Sequence, residues 1–225
     1  MYNFVHERIP QLDFDLSAET TDTGRFYTTP TGNRYRFVTT VLSSYKQDVL
    51  QEWKNKVGEE EARLQSGRAA RRGTALHNVC EKFLLNDLSD MKIRMMMPNI
   101  KELFLQVKPL LLDNIGKIYC LEQALYSDNW KVAGRVDCIA EWNGVLSVID
   151  FKSSNNAKEK DHIGNYFMQC SAYAGMFEEL TKIPIDSIIV VIAVQSELKP
   201  QVFVESKTKY INDRSEEHTS ELQSP

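Results

Sequence analysis

The chain has 225 residues, room for one generous domain or two small ones. Hydrophobic residues make up 42% and charged ones 26%, which excludes a disordered tail protein, a collagen-like rod and a disulfide-dense miniprotein. With 27 Lys+Arg against 31 Asp+Glu the net charge is −4, so nucleic acid could be met only by a local basic patch or by metal ions seated on carboxylates.

Residues 1–24 read as polar and irregular. The opening MYNFVHERIP has no basic stretch followed by an apolar one, so no signal peptide is expected. Residues 25–38 alternate aromatics around the turn cluster Thr29-Pro30-Thr31-Gly32-Asn33 and predict a hairpin. From Ser43 the period lengthens. Ser44-Tyr45-Lys46-Gln47 is a capping-box pattern, and Tyr45, Val49, Trp53 and Val57 recur every four residues. A charged stretch, residues 59–72, continues helically to Gly73. A second helix is expected from there, with Leu76, Val79, Cys80, Phe83 and Leu84 as its apolar stripe. Residues 99–113 give a third helical segment, interrupted at Pro109. Then the period shortens. Residues 117–126, 131–142 and 145–152 are rich in Val, Ile, Tyr and Trp and read as three consecutive strands. Residues 161–180 return to helix, and 185–195 and 201–205 are two more strands. The longest aliphatic run, residues 188–194, falls far short of the roughly 20 that span a bilayer, so no membrane partner is expected. No repeat or linker is visible. Residues 1–213 are therefore expected to form one α/β (α+β) domain, a central mixed sheet flanked by helices, with an N-terminal hairpin and helical part. Cys80, Cys120, Cys138 and Cys170 include no CxxC pair, so reduced, mostly buried thiols in a cytoplasmic protein are expected.

The most informative stretch runs from Val132 to Lys152. Asn143-Gly144 between two strand-like runs signals a two-residue type I′ hairpin. That turn pairs Trp142 with Val145 and sets Asp137 opposite Asp150. Opposed residues have Cβ atoms roughly 5 Å apart, and like charges there repel. A divalent metal held between the carboxylates would offset the repulsion. Arg135 and Lys152 fall on the same face two residues along, while Val136, Cys138, Ala140, Ile149 and Phe151 form the opposite, buried face. The alternative is a solvated face with two salt bridges, Arg135 to Asp137 and Asp150 to Lys152.

Gly134-Arg135-Val136-Asp137 followed by Asp150-Phe151-Lys152 resembles the core motif of the PD-(D/E)XK nuclease superfamily. Gly73-Thr74-Ala75-Leu76-His77 resembles the GxxxH helix motif of its RecB-type exonuclease branch, and Gln169-Cys170-Ser171-Ala172-Tyr173 resembles the branch's QxxxY motif. Residues 37–43 resemble the segment opening the mitochondrial genome maintenance exonucleases and their phage relatives. The motifs stand in family order over about residues 36–195. The resemblance implies a restriction-endonuclease-like core and a metal-dependent DNA exonuclease, acting on single-stranded or free ends in phage-type replication, recombination or repair. A double-strand exonuclease, a structure-specific endonuclease and an inactive nucleic-acid-binding module stay open beside it. A phage-encoded chain would work in the host cytoplasm.

The resemblance also implies residue roles. Asp137, Asp150, Lys152, His77 and Glu81 would be catalytic. Mg²⁺ or Mn²⁺ would be held by His77, Asp137, Asp150 and the Phe151 carbonyl, with Glu122 a lesser candidate for holding a metal-bound water. Gln169 and Tyr173 would help organise the site and the DNA strand. Apart from the resemblance, the basic residues Arg63, Arg68, Arg71 and Arg72 crowd just before the His77 helix and Lys158 and Lys160 follow the Lys152 strand; with Arg135 they are expected phosphate contacts, a solvated helix face being the alternative. The branch's iron–sulfur cysteine pattern is absent, so no cluster is expected. Finally, residues 214–224 resemble the conceptual translation of a sequencing adapter read through at the end of an insert. Residues 214–225 are therefore expected to be non-native, and the natural protein to continue past Asp213.

Overall fold

The structure is a computed structural model that describes residues 3–22, 24–44 and 47–211. The 214–225 tail and the Tyr45-Lys46 half of the capping-box pattern lie outside the described residues. Among the described residues, no helix is long and apolar enough to cross a membrane. The N-terminal part holds β1 (Val5–His6), a 3₁₀ turn at Pro10–Leu12, β2 (Ser17–Thr21), β3 (Gly24–Thr28) and β4 (Arg34–Phe37). The β3–β4 hairpin falls where the turn cluster puts it. Residues 3–22 hold more regular structure than their pattern suggests. β1 is only two residues long and β2 carries Ser, Glu and Thr, so neither shows a period; pairing with β5 and β3 forms them.

Helices α1 (Val38–Ser44) and α2 (Gln47–Val57) lead into α3 (Glu59–Leu84). Gly73 does not divide α3. A single glycine inside a helix costs about 0.5–1 kcal/mol relative to alanine, and burial of Leu76, Cys80, Phe83 and Leu84 along one stripe outweighs that. A short α4 (Asp90–Arg94), capped by the Ser89 hydroxyl, precedes α5 (Pro98–Asn114). α5 continues through Pro109, because its face of Leu103, Phe104, Val107 and Leu111 is buried on both sides of the proline.

Then come β5 (Ile115–Ser127), β6 (Val132–Trp142), β7 (Val145–Ser154), α6 (Gly164–Thr181), β8 (Ser187–Val194), β9 (Gln201–Ser206) and α7 (Thr208–Ile211). One mixed sheet runs β2-β3-β4-β6-β7-β8-β9, with β5 on β6 and β1 on β5. The Asn143-Gly144 turn takes positive φ at both residues, as a type I′ turn requires, and Trp142 pairs with Val145. The chain is thus an α/β protein whose central mixed sheet is flanked by helices. One correction concerns the two faces of the hairpin. β7 and β8 are parallel, so the connecting α6 covers the face that would otherwise meet solvent. On the α6 side Val136, Ile139 and Val148 pack with Phe167, Cys170 and Phe177. On the other side Cys138, Ala140, Ile149 and Phe151 pack with α3 and α5. Both faces are core, and Val136 belongs to the opposite cluster from Cys138.

Candidate active site

β6 changes partners along its length. Its first residues, Val132 and Ala133, pair with β4, and its last five, from Cys138, pair with β7. Residues 134–137 lie in the fork between. There the ladder stops one pair short of Asp137 and Asp150, and Asp137 Oδ2 instead accepts a 2.8 Å hydrogen bond from the Phe151 N–H. The expected direct opposition of the two carboxylates is replaced by this offset.

Asp137 is 9% exposed and Asp150 1%. Around Asp137 the sheet and α3 converge. His77 Nδ1 lies 3.3 Å from Asp137 Oδ1, and Glu122 enters from the neighbouring strand β5. Glu122 has φ +45°, a left-handed backbone inside a strand, and the β5–β6 ladder skips it opposite Asp137. Ligand atoms of His77, Glu122 and Asp137 all lie within 4.8 Å of one another, a spacing suited to one cation. Asp150 stands beside this trio and is held by Lys152, whose Nζ donates to Oδ1 at 2.7 Å and lies 2.6 Å from Oδ2. Oδ2 itself accepts no hydrogen bond. Of the two salt bridges weighed for this hairpin, Asp150–Lys152 forms. Arg135–Asp137 does not, because Arg135 turns to the Glu122 carbonyl and to Asp15.

The electrostatics follow from burial. Burial pushes Asp150 up to about 6, with Asp137 adding and Lys152 opposing. Burial and the Asp137 charge push Glu122 up to about 7. For Asp137, burial works toward protonation, yet His77, Lys152 and the Phe151 N–H hold its carboxyl below the usual range. Burial likewise opposes a charge on His77, and Asp137 outweighs it and raises the imidazole. Lys152 is raised despite burial, by Asp150 and Asp137. Buried ionised groups cost several kcal/mol each unless paired. A site that gathers three carboxyls, an imidazole and an ammonium is therefore built for charge. The donor set fits a hard divalent cation: two carboxylates and one imidazole lie within bonding reach of one another, and the buried Asp150 carboxylate, held by Lys152, stands next to them.

The remaining expected residues fall into three groups. Tyr173 is 2% exposed, a core ring rather than a surface group. Its hydroxyl accepts from Gln169 Nε2 at 3.3 Å, and its ring occupies the space beside Gly134, where a Cβ would come within 2.7 Å of Cε1. Its influence on the fork runs through Gly134. Arg72 is engaged at the strand exits, bonding Ser153, Asn155 and Gln195. Arg63 pairs with Glu60, Lys160 with Glu205, and the Lys158 N–H meets Gln201. Arg68 and Arg71 are exposed on α3, and Glu81, half-buried one turn beyond His77, adds its charge to the environment of Glu122 without joining the trio. All four cysteines are free and buried. Beyond the residues singled out in the sequence, Tyr166 lies under Lys152, with Nζ 5.3 Å from its ring centre. No sequence signal points to Tyr166, nor to the left-handed turn that aims Glu122.

No known family matches the chain, and no curated protein does. The solved structures similar to it include that of SSO0001, 13% identical over 78% of this chain and 80% of that one, with a TM-score of 0.34. A likeness at that level carries no argument about fold or activity.

Proposed function

We infer that the chain is a metal-dependent DNA exonuclease of the PD-(D/E)XK type, hydrolysing phosphodiester bonds at the ends of single strands. The observation that carries this reading is the fork between β6 and β7, where His77, Glu122 and Asp137 converge beside the buried Asp150–Lys152 pair. His77, Asp137 and Glu122, with Asp150 and the Phe151 carbonyl alongside, would hold Mg²⁺ or Mn²⁺. When bound, such a cation supplies Lewis acidity toward a phosphate oxygen and toward water. Lys152 places a fixed positive charge where a phosphorane's negative charge would develop. Glu122, the carboxyl pushed highest in the metal-free fold, would give up its proton as the cation binds. Gly134, bare of a Cβ, lets β6 sit against Tyr173 and keeps Asp137 at its depth.

The reading is tested by incubating end-labelled linear and covalently closed single-stranded DNA with Mg²⁺, Mn²⁺ or EDTA. Metal-dependent loss of linear strands alone is expected. Degradation of closed circles at the linear rate would overturn the exonuclease reading, and activity in EDTA would overturn the metal mechanism.

A further inference from the structure

Next to the fork lies a second concavity that the site above does not use. A cavity of about 660 Å³ opens between α3, the start of α5 and the exits of β7 and β8. Its polar lining comes from Arg68, Arg71, Arg72, Asn99, Asn155 and Gln195, with Gln65 and one acid, Glu61, at the rim.

The hydrogen bonds fix what this lining offers. Arg72 can only donate. Its Nη1 reaches Asn155 Oδ1 at 2.5 Å and Gln195 Oε1 at 2.7 Å, and its Nε reaches Ser153 Oγ. Both amide oxygens thereby face Arg72, and among the described residues neither amide NH₂ group has a protein acceptor, which leaves both as donors to the cavity. Arg68 and Arg71 are exposed and make no ion pair or hydrogen bond among the described residues. The single acid is in part satisfied, because Glu61 accepts from Gln65. The cavity is therefore rich in donors and net positive, in a chain whose total charge is −4. It is also close to the fork. Arg72 precedes His77 by five residues, about 7.5 Å along the helix axis, and Ser153 follows Lys152 directly.

We propose that this cavity is a phosphate-binding subsite that seats a backbone phosphate of the DNA strand whose neighbouring phosphodiester lies in the fork. The assignment rests on the nuclease reading for the identity of the strand, and on the donor lining for the site itself. Asn155 and Gln195 are its specificity-determining residues, and Arg72 is the positioning residue that turns their amides.

Asn155→Asp with Gln195→Glu tests it, because each change keeps size and keeps an oxygen for Arg72 while replacing the outward donor by an acceptor. Binding of a labelled 12-nucleotide single strand is followed by anisotropy in EDTA at several salt concentrations. Hydrolysis of the p-nitrophenyl ester of thymidine 5′-phosphate with Mn²⁺ is followed in parallel, since that ester carries one phosphate and has none left for the subsite. The double variant is expected to bind the strand at least tenfold more weakly. Its log–log salt slope should fall by about 0.7 for each phosphate that the protein no longer neutralises, and ester hydrolysis should be unchanged. Arg71→Glu, which has no partner among the described residues to lose, should reproduce the binding loss should the double variant disturb the Arg72 anchor. Parental strand affinity in both variants would overturn the subsite and leave the nuclease reading standing. A parent that hydrolyses neither substrate, yet binds the strand and loses it in the variants, would overturn the nuclease reading and leave the subsite standing.

Discussion

At the scale of single residues, the unusual state belongs to Glu122 and Asp150, two carboxyls that the metal-free fold keeps more protonated than the unfolded chain does. For Glu122 the unfolded carboxyl ionises near 4.5 and the folded one near 7. Its contribution is therefore fully present below pH 4.5 and is lost as pH rises through 7. Glu122→Gln, measured by melting in EDTA, should raise Tm at pH 8 by a few degrees, with a gain that shrinks to nothing toward pH 4.5. Added Mg²⁺ should reverse the order, because the substitution removes a ligand. Asp150 behaves differently on substitution because Lys152 depends on it. Asp150→Asn leaves a buried ammonium unpaired, and breaking such a pair costs about 3–5 kcal/mol. Tm should fall accordingly even without metal, and cleavage should vanish. Asp150→Asn combined with Lys152→Met should recover most of the lost stability but none of the activity, a double-mutant cycle that separates pairing from chemistry. Opposition of like charges across the hairpin would have given the contrary stability result. That expectation rested on an ideal ladder, and the ladder ends one pair too early.

At the scale of elements, two glycines make contrary predictions. Gly134→Ala would drive a methyl to within 2.7 Å of the Tyr173 ring, and overpacking of this kind costs about 1–3 kcal/mol. Relief should come from Tyr173→Leu in the same chain, read as a positive coupling in denaturant melts. Gly73 has nothing within 4 Å of the position its Cβ would take. Gly73→Ala should stabilise α3 by about 0.5–1 kcal/mol, while DNA cleavage falls where the strand needs the open space one turn before His77. An unchanged melting temperature would show that the helix already tolerates the glycine at no cost. These elements were legible to different degrees. The hairpin around Asn143-Gly144 could be read residue by residue, since a two-residue turn sets its own register. The single span of α3 could not, because propensity marks Gly73 as a boundary while the tertiary contacts of Leu76 and Cys80 carry the helix through it. Glu122 was visible as a lesser candidate for a metal-bound water but not as a ligand beside His77, as the backbone flip that brings it there leaves no mark in residue type.

For the molecule as a whole, the order of the long elements from α2 to β9 could be read from periodicity, with α3 taken as two helices, and so could the α/β layering; the short helices α1, α4 and α7 could not. What could not be read was which neighbour each strand takes. The fork exists because β6 trades β4 for β7 part-way along, and no local pattern encodes that exchange. Metal should report on the whole fold. A cation that binds only the folded chain at one hundred times its Kd adds about 2.7 kcal/mol, so Mn²⁺ should raise Tm by several degrees and EDTA should abolish the rise; His77→Ala should remove most of it, and a full rise in that variant would take His77 out of the cation site. Helix α3, finally, touches the sheet at two polar points, Arg72 at the ends of β7 and β8 and His77 at β6. Twenty-six residues in one helix form a stiff rod of about 39 Å. A tilt that frees either point strains the other. Anything that steadies Arg72 therefore steadies His77, and by reciprocity whatever fastens His77 to Asp137 sharpens the grip at Arg72. The two polar contacts are thus expected to respond together, and Arg72→Ala should weaken the His77–Asp137 contact as well.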